Sequence, residues 1–358
     1  MNIGILGIGL CLPKTKRTNE WWPENITQKW MADKDRSQVA ALDIDLDSDA
    51  IPKEVRLLIE ALKEYKDDPF DGSKVRYILE DDQNASDMEI QAAKEALENS
   101  GISPKKIDFI LGQTTLSDKL NDSNMCLTQN ALNIPNSCYA QDIVGMCNSP
   151  VSQLLLAQAL IRSGEMRYGL LIQSSGMSRF LTQENPMSPL FGDGAAAMVV
   201  GPVPDGEGLL SIGNYTNGSF ANYLMLGSPG QHWYDAKVTT YFINPAEAVR
   251  VVVTGFVQGK SIIEAALAKA NLKKEDVDFF VGHQGSAWFR RVSQKFSGLE
   301  HAKFFDTFPI YSGIVGVNMP AILYNAHKNK LIKKNDILAT YAPATGFVGY
   351  SSVIKWGL

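Results

Sequence analysis

The chain has few cysteines, and that shortage already excludes two kinds of protein. Only four occur among 358 residues, all in the first half and without Cys-x-x-Cys spacing: Cys11, Cys126, Cys138 and Cys147. This pattern fits neither a disulfide framework nor a zinc site, so the sequence predicts no metal. A reducing cytoplasm is the natural compartment for such a chain.

Long hydrophobic runs and clusters of positive charge are also missing. Nowhere do about 18 apolar residues run together, so we expect no membrane span. The net charge is −5 with lysine and arginine scattered evenly, which argues against nucleic-acid and membrane-surface partners. The glycine-rich N-terminus carries too little positive charge for a signal peptide, and we interpret it as a buried strand.

Residues 25–65 differ from the rest of the chain because they are polar and irregular. They contain one clear amphipathic helix, at residues 53–66, and we interpret the segment as an inserted cap. The alternating aspartates of residues 43–49 partly resemble a calcium-binding loop. Ser48 stands where such a loop requires glycine and Pro52 intrudes, so a solvated acidic loop is the better interpretation.

Helices alternate with short apolar strands in two similar copies. The first copy has a helix followed by a strand at residues 107–112, and the second has a helix at 261–270 followed by a strand at 277–282. A shift of 170 residues (277 − 107) superimposes Phe109 on Phe279 and the two strands on each other. Similarity over such a distance indicates a duplication at the scale of a domain.

The turn-rich stretch at residues 201–208 marks the predicted boundary between the copies. This gives an N-terminal unit of residues 1–203 and a C-terminal unit of residues 204–358. Each unit is expected to hold a mostly parallel sheet with helices on both faces. Because ligands of such sheets bind beyond the carboxyl ends of strands, residues that follow the strands are candidates for function.

Cys147 and His283 each follow a predicted strand, one in each copy. The strand before Cys147 is expected to end at Gly145, and a helix begins after it with Pro150 in the first turn. Free N–H groups and the positive end of that helix would hold the pKa of the thiol below its usual value of about 8.5. We interpret Cys147 as a nucleophile that meets His283 in one site; a small buried cysteine and a satisfied core histidine are the alternatives.

Several short motifs follow one another along the chain: Leu12-Pro13, the turn at Cys147, Phe191-Gly192-Asp193-Gly194, Gly282-His283-Gln284, Met319-Pro320-Ala321 and Gly346-Phe347-Val348-Gly349. Each motif is weak alone. Their order and spacing together resemble the thiolase superfamily, most closely β-ketoacyl-acyl carrier protein (ACP) synthase III. The resemblance covers nearly the whole chain except residues 25–65. It implies a five-layer αβαβα fold built from two duplicated α/β halves, and a homodimer.

The resemblance also implies roles for particular residues. Cys147 matches the residue that is acylated by a CoA or ACP thioester, and His283 matches the histidine that assists there. Thr345 aligns with the family's oxyanion-hole glycine, so the amides of Cys147 and Thr345 are expected to bind the carbonyl oxygen. No cofactor is implied beyond acyl-CoA or acyl-ACP as substrate.

Two positions depart from the family pattern. The third catalytic residue of the family, an asparagine thirty positions after the histidine, corresponds to Gly313 here (283 + 30), with Ser312 and Asn318 as possible supporting residues. That asparagine helps to hold the enolate that forms when a malonyl thioester decarboxylates, and losing one such donor costs about 10²- to 10³-fold in rate. At the gate of the acyl pocket, Leu120 or Asn121 stands where the family often has phenylalanine.

We therefore predict an acyltransferase that forms an acyl-Cys147 intermediate and passes the acyl group to a small-molecule acceptor. Specialised-metabolite, fatty-acid or polyketide biosynthesis is the expected setting. One alternative is a decarboxylative synthase that uses malonyl-ACP, with Ser312 or water in place of the missing amide. Another is a non-catalytic partner of an active paralogue, although the presence of both Cys147 and His283 argues against it.

Overall fold

The structure, a computed structural model, describes residues 2–42, 53–221, 223–242 and 248–358. The predicted acidic loop at 43–49 lies outside these residues. The strands are β1 (Asn2–Cys11), β2 (Thr15–Thr18), β3 (Val75–Ile78), β4 (Phe109–Thr114), β5 (Tyr139–Asp142), β6 (Gly169–Gly176), β7 (Asp193–Val203), β8 (Gly208–Thr216), β9 (Leu224–Gly227), β10 (Thr239–Phe242), β11 (Phe279–Gly282), β12 (Ile337–Ala344) and β13 (Val348–Lys355). The helices are α1 (Glu24–Leu42), α2 (Lys53–Lys63), α3 (Ala85–Ser100), α4 (Asn124–Ala131), α5 (Ser149–Arg162), α6 (Ala248–Lys269), α7 (Phe289–Ser297), α8 (Phe308–Tyr311) and α9 (Asn318–Lys328).

Two mixed sheets form the frame, with strand orders β1-β7-β6-β4-β5 and β11-β12-β13-β8. In the first sheet β4 pairs in parallel with β5 and β6, and β7 pairs antiparallel with β1 and β6. In the second sheet only β11 and β12 pair in parallel. The prediction of mostly parallel sheets was wrong, because parallel pairing needs a long crossover connection and β12 reaches β13 through a short turn.

Helices and sheets stack in five layers. Helix α3 covers the outer face of the first sheet, α6 covers the outer face of the second, and α5 and α9 pack between the sheets. Side chains alternate accordingly: Phe109 of β4 and Phe279 of β11 face the central helices, whereas Ile110 faces α3 and Phe280 faces α6. Because both faces of each sheet are buried, these strands read as continuous apolar runs. The αβαβα layering that the resemblance implied is confirmed.

The predicted boundary at residue 203 falls between strands of different sheets. Strand β7 ends at Val203 in the first sheet, and β8 begins at Gly208 in the second. The division into residues 1–203 and 204–358 stays a prediction.

Several element boundaries differ from the predictions. Helix α1 occupies part of the segment interpreted as irregular, and α2 ends at Lys63 instead of residue 66. The strand expected to end at Gly145 ends at Asp142. Helix α6 begins at Ala248, well before residue 261, because its glycines interrupt the apolar pattern without interrupting the helix. Gly259 is required there, since a Cβ at this position would lie 2.5 Å from the ring of Tyr341.

Among the described residues, one helix has the length and composition that a membrane span requires. It is the part of α6 from Arg250 to Lys269, with a mean hydropathy of 1.4. This helix packs on α7 and on the second sheet through β8, β12 and β13. The core helix of a soluble protein meets the same criteria of length and composition, so this match is weak evidence for a membrane span.

Candidate active site

Cys147 lies in a tight 3₁₀ turn, Met146–Asn148, directly before α5. Met146 adopts a φ of 48°, a left-handed conformation that is uncommon outside glycine. The hydroxyl of Ser149 donates to the carbonyl oxygen of Met146 over 2.8 Å. The amide of Asn148 donates to the carbonyl oxygen of Val348 over 2.9 Å. The turn is therefore tied both to its own helix and to the hairpin of the second sheet.

His283 lies just beyond β11, and its backbone is fixed on both sides. Its N–H donates to the carbonyl oxygen of Tyr341 over 2.8 Å. The next residue, Gln284, is buried and receives the N–H of Thr307 on its side-chain oxygen at 2.7 Å. The imidazole ring packs edge to face on Phe289, with ring centroids 5.9 Å apart. These contacts position the imidazole before any ligand arrives.

Cys147 and His283 line the same cavity, which has a volume of about 280 Å³. Thr345, at the turn between β12 and β13, lines it as well. The rest of the wall is largely apolar: Phe220, Tyr223, Leu224, Val251, Val252, Trp288, Phe289 and Phe347. The structure thus brings together the predicted nucleophile, histidine and oxyanion-hole residue; their catalytic roles stay predictions.

The apolar wall controls the charge of both reacting groups. Burial raises the pKa of the Cys147 thiol to about 12, and the lowering by the backbone N–H of Cys147 is the smaller effect. Burial also lowers the pKa of His283 to about 4. The predicted lowering of the thiol pKa was wrong in direction, because desolvation of a thiolate here outweighs its stabilisation by the helix start. Thiol and imidazole therefore rest uncharged at neutral pH.

Ser312, Gly313 and Asn318 do not line this cavity. The N–H of Gly313 donates to the carbonyl oxygen of Leu190 over 2.8 Å, and its own carbonyl oxygen accepts from Gly192 over 3.0 Å. The hydroxyl of Ser312 is buried against the Ser73 hydroxyl and the Pro189 carbonyl oxygen.

Asn318 accepts from the N–H of Gln284 over 2.9 Å and donates to the Thr307 hydroxyl over 2.9 Å. Ser312, Gly313 and Asn318 therefore stabilise the surrounding backbone, and we assign them no contact with the reacting atoms. Asn318 acts one step removed, since it fixes the residue next to His283.

The predicted gate residues lie on the surface of the chain, away from the lining of the cavity at Cys147. Leu120 and Asn121 line a separate polar cavity of about 270 Å³, together with Thr114, Asp142 and Val144. The side chain of Leu120 is 92% exposed. Within a single chain these residues therefore do not gate the cavity at Cys147.

Sequence reasoning missed the aromatic wall and one polar group. Trp288 and Phe289 closely follow His283, so their place near the site was within reach of the sequence. Phe220 and Tyr223 come from a stretch without periodicity and gave no signal. Ser286 also lines the cavity, and its buried hydroxyl has no partner among the described residues.

Comparisons with known proteins agree on one family. Residues 141–218 match the family model for 3-oxoacyl-ACP synthase III, and residues 267–356 match the model for its C-terminal part. A β-ketoacyl-ACP synthase III of Caldanaerobacter subterraneus is 30% identical over 292 residues, which cover 80% of this chain and 87% of that protein.

Two solved structures show the same fold. The 3-oxoacyl-ACP synthase III of Aquifex aeolicus has a TM-score of 0.79 at 23% identity, covering 99% of this chain and 100% of its own. The priming β-ketosynthase of a polyketide biosynthetic pathway has a TM-score of 0.80 at 19% identity, covering 99% of this chain and 96% of its own. At such identities the likeness establishes the fold alone.

Proposed function

The chain belongs to the 3-oxoacyl-ACP synthase III family of acyltransferases, and on that premise we propose that Cys147 takes an acyl group from a CoA or ACP thioester and passes it to a small-molecule acceptor. The observation that carries the proposal is the shared cavity. Cys147 reaches it from the turn before α5, His283 from the end of β11 and Thr345 from the β12–β13 turn.

Acyl loading needs only groups that line this cavity. The Cys147 sulfur attacks the thioester carbonyl while His283 accepts the thiol proton. The N–H groups of Cys147 and Thr345 are the proposed donors to the oxyanion of the tetrahedral intermediate. When the intermediate collapses, the carbon–sulfur bond to the donor breaks, and the donor leaves as a thiol with the proton from His283.

Acyl transfer runs through the same groups in the opposite sense. A hydroxyl, amine or carbon nucleophile of the acceptor attacks the acyl-Cys147 carbonyl, and His283 accepts the proton that this nucleophile loses. The bond to the Cys147 sulfur then breaks, and the sulfur regains the proton. With a pKa of about 4, His283 is a neutral imidazole at neutral pH, and its unprotonated ring nitrogen can accept a proton in both half-reactions.

Decarboxylative condensation with malonyl-ACP is the second candidate, and Ser286 is the observation in its favour. The family's asparagine position is Gly313, whose backbone N–H and C=O are both paired away from the cavity. The hydroxyl of Ser286, in contrast, is buried, lines the cavity and lacks a partner among the described residues. It can serve as the second donor to an enolate oxygen, in the place where Ser312 was expected.

The proposal includes a homodimer formed through β5. This strand lies at the edge of the first sheet, and an unpaired edge is a template for another strand. Two apolar side chains next to it, Leu120 and Val144, are 92% and 88% exposed. Sedimentation at micromolar concentration should give twice the mass of the chain, and Val144→Lys should shift it towards the monomer.

We also propose that the enzyme works in the cytoplasm without a cofactor. The thioester already supplies an activated acyl group, so neither half-reaction requires one. Within the described ranges, no three His, Cys, Asp or Glu side chains are grouped to hold a metal ion.

A single-turnover assay separates the two candidates. Acyl-enzyme is formed first and verified by intact mass, and malonyl-ACP or malonyl-CoA is then added. A missing donor lowers the rate by about 10²- to 10³-fold, so we expect slow decarboxylation in the wild type. Condensation at the usual enzymatic rates of about 1 to 10³ per second would reject the acyltransfer reading in favour of the second candidate.

Two variants at Gly313 sharpen this assay. A Cβ at Gly313 would lie 2.9 Å from the carbonyl oxygen of Leu190, so any side chain there requires a small shift. Gly313→Ala requires the same shift but adds no side-chain amide, so it is the control for Gly313→Asn. Faster decarboxylation in Gly313→Asn than in Gly313→Ala would show that the missing amide limits the reaction.

A further inference from the structure

A second, smaller compartment lies behind the wall of the cavity at Cys147. Its volume is about 20 Å³, enough for about one water molecule. It runs along α6 and is lined by Tyr215, Gly255, Gln258, Gly259, Ile262, Tyr341, Pro343, Ala344, Phe347, Val348 and Gly349. Apart from Gln258 and the two tyrosine hydroxyls, this lining is apolar.

Five residues line both compartments and so form the wall between them: Gly255, Tyr341, Pro343, Ala344 and Phe347. Gly255 has no side chain. Tyr341 is held in place, since its hydroxyl donates to the carbonyl oxygen of Gly255 over 2.5 Å. Pro343 and Ala344 are small and belong to β12. Phe347 is therefore the one large side chain of the wall without a hydrogen bond.

The ring of Phe347 is held only by packing. It contacts Phe220 at a centroid distance of 4.7 Å and Tyr215 at 6.1 Å. Its backbone has a φ of 54° and follows Gly346 at 79°, so the tip of the hairpin consists of two successive left-handed residues. A bulky residue in this region is a conformational outlier that the surrounding structure must hold.

The helix on the far side leaves room behind the ring. Gly255 and Gly259 lie one turn apart on α6; the ring of Tyr341 fills the position beside Gly259, whereas Gly255 faces the Tyr341 hydroxyl and the Phe347 ring. The nearest atoms to a Cβ at Gly255 would be the Tyr341 hydroxyl at 3.7 Å and the Phe347 ring at 3.9 Å. These distances leave room for a side chain at Gly255, so the glycine there keeps a space open at a cost of about 0.5 to 1 kcal/mol relative to alanine inside a helix.

We infer that Phe347 sets the length of the apolar chain that Cys147 can carry, because its ring closes the cavity at Cys147 off from an apolar compartment along α6. Removing the ring joins the two spaces, and a longer chain then extends past β12 towards Ile262. The inference deepens the proposed function and rests on it in one respect only, namely that the natural chain arrives as an acyl thioester.

The test uses chemical probes as well as substrates. Straight-chain alkyl methanethiosulfonates of increasing length convert the Cys147 thiolate to a mixed disulfide with release of methanesulfinate, and this needs no catalysis by the enzyme. Straight-chain acyl-CoAs of 2 to about 16 carbons test acylation in parallel. Rates are read by intact mass for wild type, Phe347→Leu and Phe347→Ala, and each variant is first checked by thermal melting.

Two further variants serve as matched controls. Trp288→Ala removes an aromatic ring that lines only the cavity at Cys147. Phe347→Ala combined with Ile262→Phe refills the far compartment, since Ile262 lines only that one. Alanine and phenylalanine both have a Cβ and carry a similar penalty for the left-handed backbone at 347, so Phe347→Ala and the wild type differ mainly in the ring.

We expect Phe347→Ala to accept chains at least two carbons longer than wild type, with Phe347→Leu between them. Each additional buried methylene should raise the rate constant by about fourfold, from a burial free energy of about 0.8 kcal/mol. The double variant should return to the wild-type limit. An unchanged dependence on probe length in Phe347→Ala, or an equal change at every length, would overturn the inference. Failure of every acyl-CoA to react, with the probes still length-limited, would reject the proposed function alone.

Discussion

The turns that precede α5 and α9 have nearly the same backbone and different chemistry. Each is a 3₁₀ turn that leads directly into a helix, Met146–Asn148 in the first case and Val315–Val317 in the second. The first residue is left-handed in both, with φ of 48° at Met146 and 52° at Val315. The middle residue is Cys147 in one turn and Gly316 in the other.

The reason for this difference is that the two turns pack against each other. A Cβ at Gly316 would lie 2.6 Å from the Ser149 hydroxyl, 2.8 Å from the Met146 carbonyl oxygen and 2.9 Å from the side-chain oxygen of Gln113. The second turn has no space for a side chain of its own. It supports the turn that carries Cys147, and the second sheet contributes His283 instead.

We expect the largest effect on activity from removing the His283 side chain. His283→Ala should lower acyl transfer by about 10²- to 10⁴-fold, the usual worth of a general acid–base group. Gln113 is the first copy's counterpart of His283 under the 170-residue shift, and it does not line the cavity at Cys147. Single-turnover rates of His283→Ala and Gln113→Ala decide the point: equal losses would show that the two halves are not specialised in this way.

The next effect concerns the thiol itself. With a pKa of about 12, the thiolate fraction of Cys147 should rise about tenfold for each pH unit between 7 and 10. Alkylation of Cys147 by iodoacetamide, followed by mass mapping across this range, should show that slope. A rate that levels off near pH 8 would mean that the start of α5 affects the pKa of Cys147 more than burial does. That result would contradict the raised thiol pKa.

The contact between the turns is tested by stability. Gly316→Ala should destabilise the fold by about 1 to 3 kcal/mol, the usual cost of overpacking. Gly218→Ala is the control, because a Cβ there would meet nothing within 4 Å. Urea denaturation measures both. Equal stabilities of the two variants would show that the turns do not press on each other.

The smallest effect is expected at the left-handed residues. Glycine adopts this conformation without the penalty of about 1 to 2 kcal/mol that other residues carry, although it gains more freedom in the unfolded chain. Met146→Gly should therefore raise the free energy of unfolding by up to about 1 kcal/mol. Val315→Gly should not, because Val315 is buried and the loss of its side chain offsets the gain. A reversed order in thermal melts would contradict this account of the turns.

The sequence was informative where a single period or motif determines the structure. The duplication, the helix that follows Cys147 and the placement of Cys147 and His283 after strands all follow from such patterns. Helix α1 was missed because its polar sequence has no apolar stripe. The early start of α6 was missed because Gly255 and Gly259 resemble a helix break in the sequence, and only the packing of Tyr341 explains Gly259.

The properties of the site depend on distant residues, and there the sequence was least reliable. The direction of the thiol pKa shift is set by an apolar wall from several segments, among them Phe220 and Trp288. The family resemblance identified Gly313 as a departure, but only the structure shows that its backbone pairs with Leu190 and that it does not line the cavity. The sequence could not identify Ser286, because what distinguishes it is a buried hydroxyl without a hydrogen-bond partner among the described residues.

The central claim is that the nucleophile comes from one turn alone, and one measurement tests it directly. Wild type and Cys147→Ala are incubated with a panel of acyl-CoAs, and the acyl group is located by intact mass and peptide mapping. The account predicts one acyl group per chain, on Cys147, and no adduct in Cys147→Ala. An adduct on Cys126 or Cys138, or one that persists in Cys147→Ala, would contradict it.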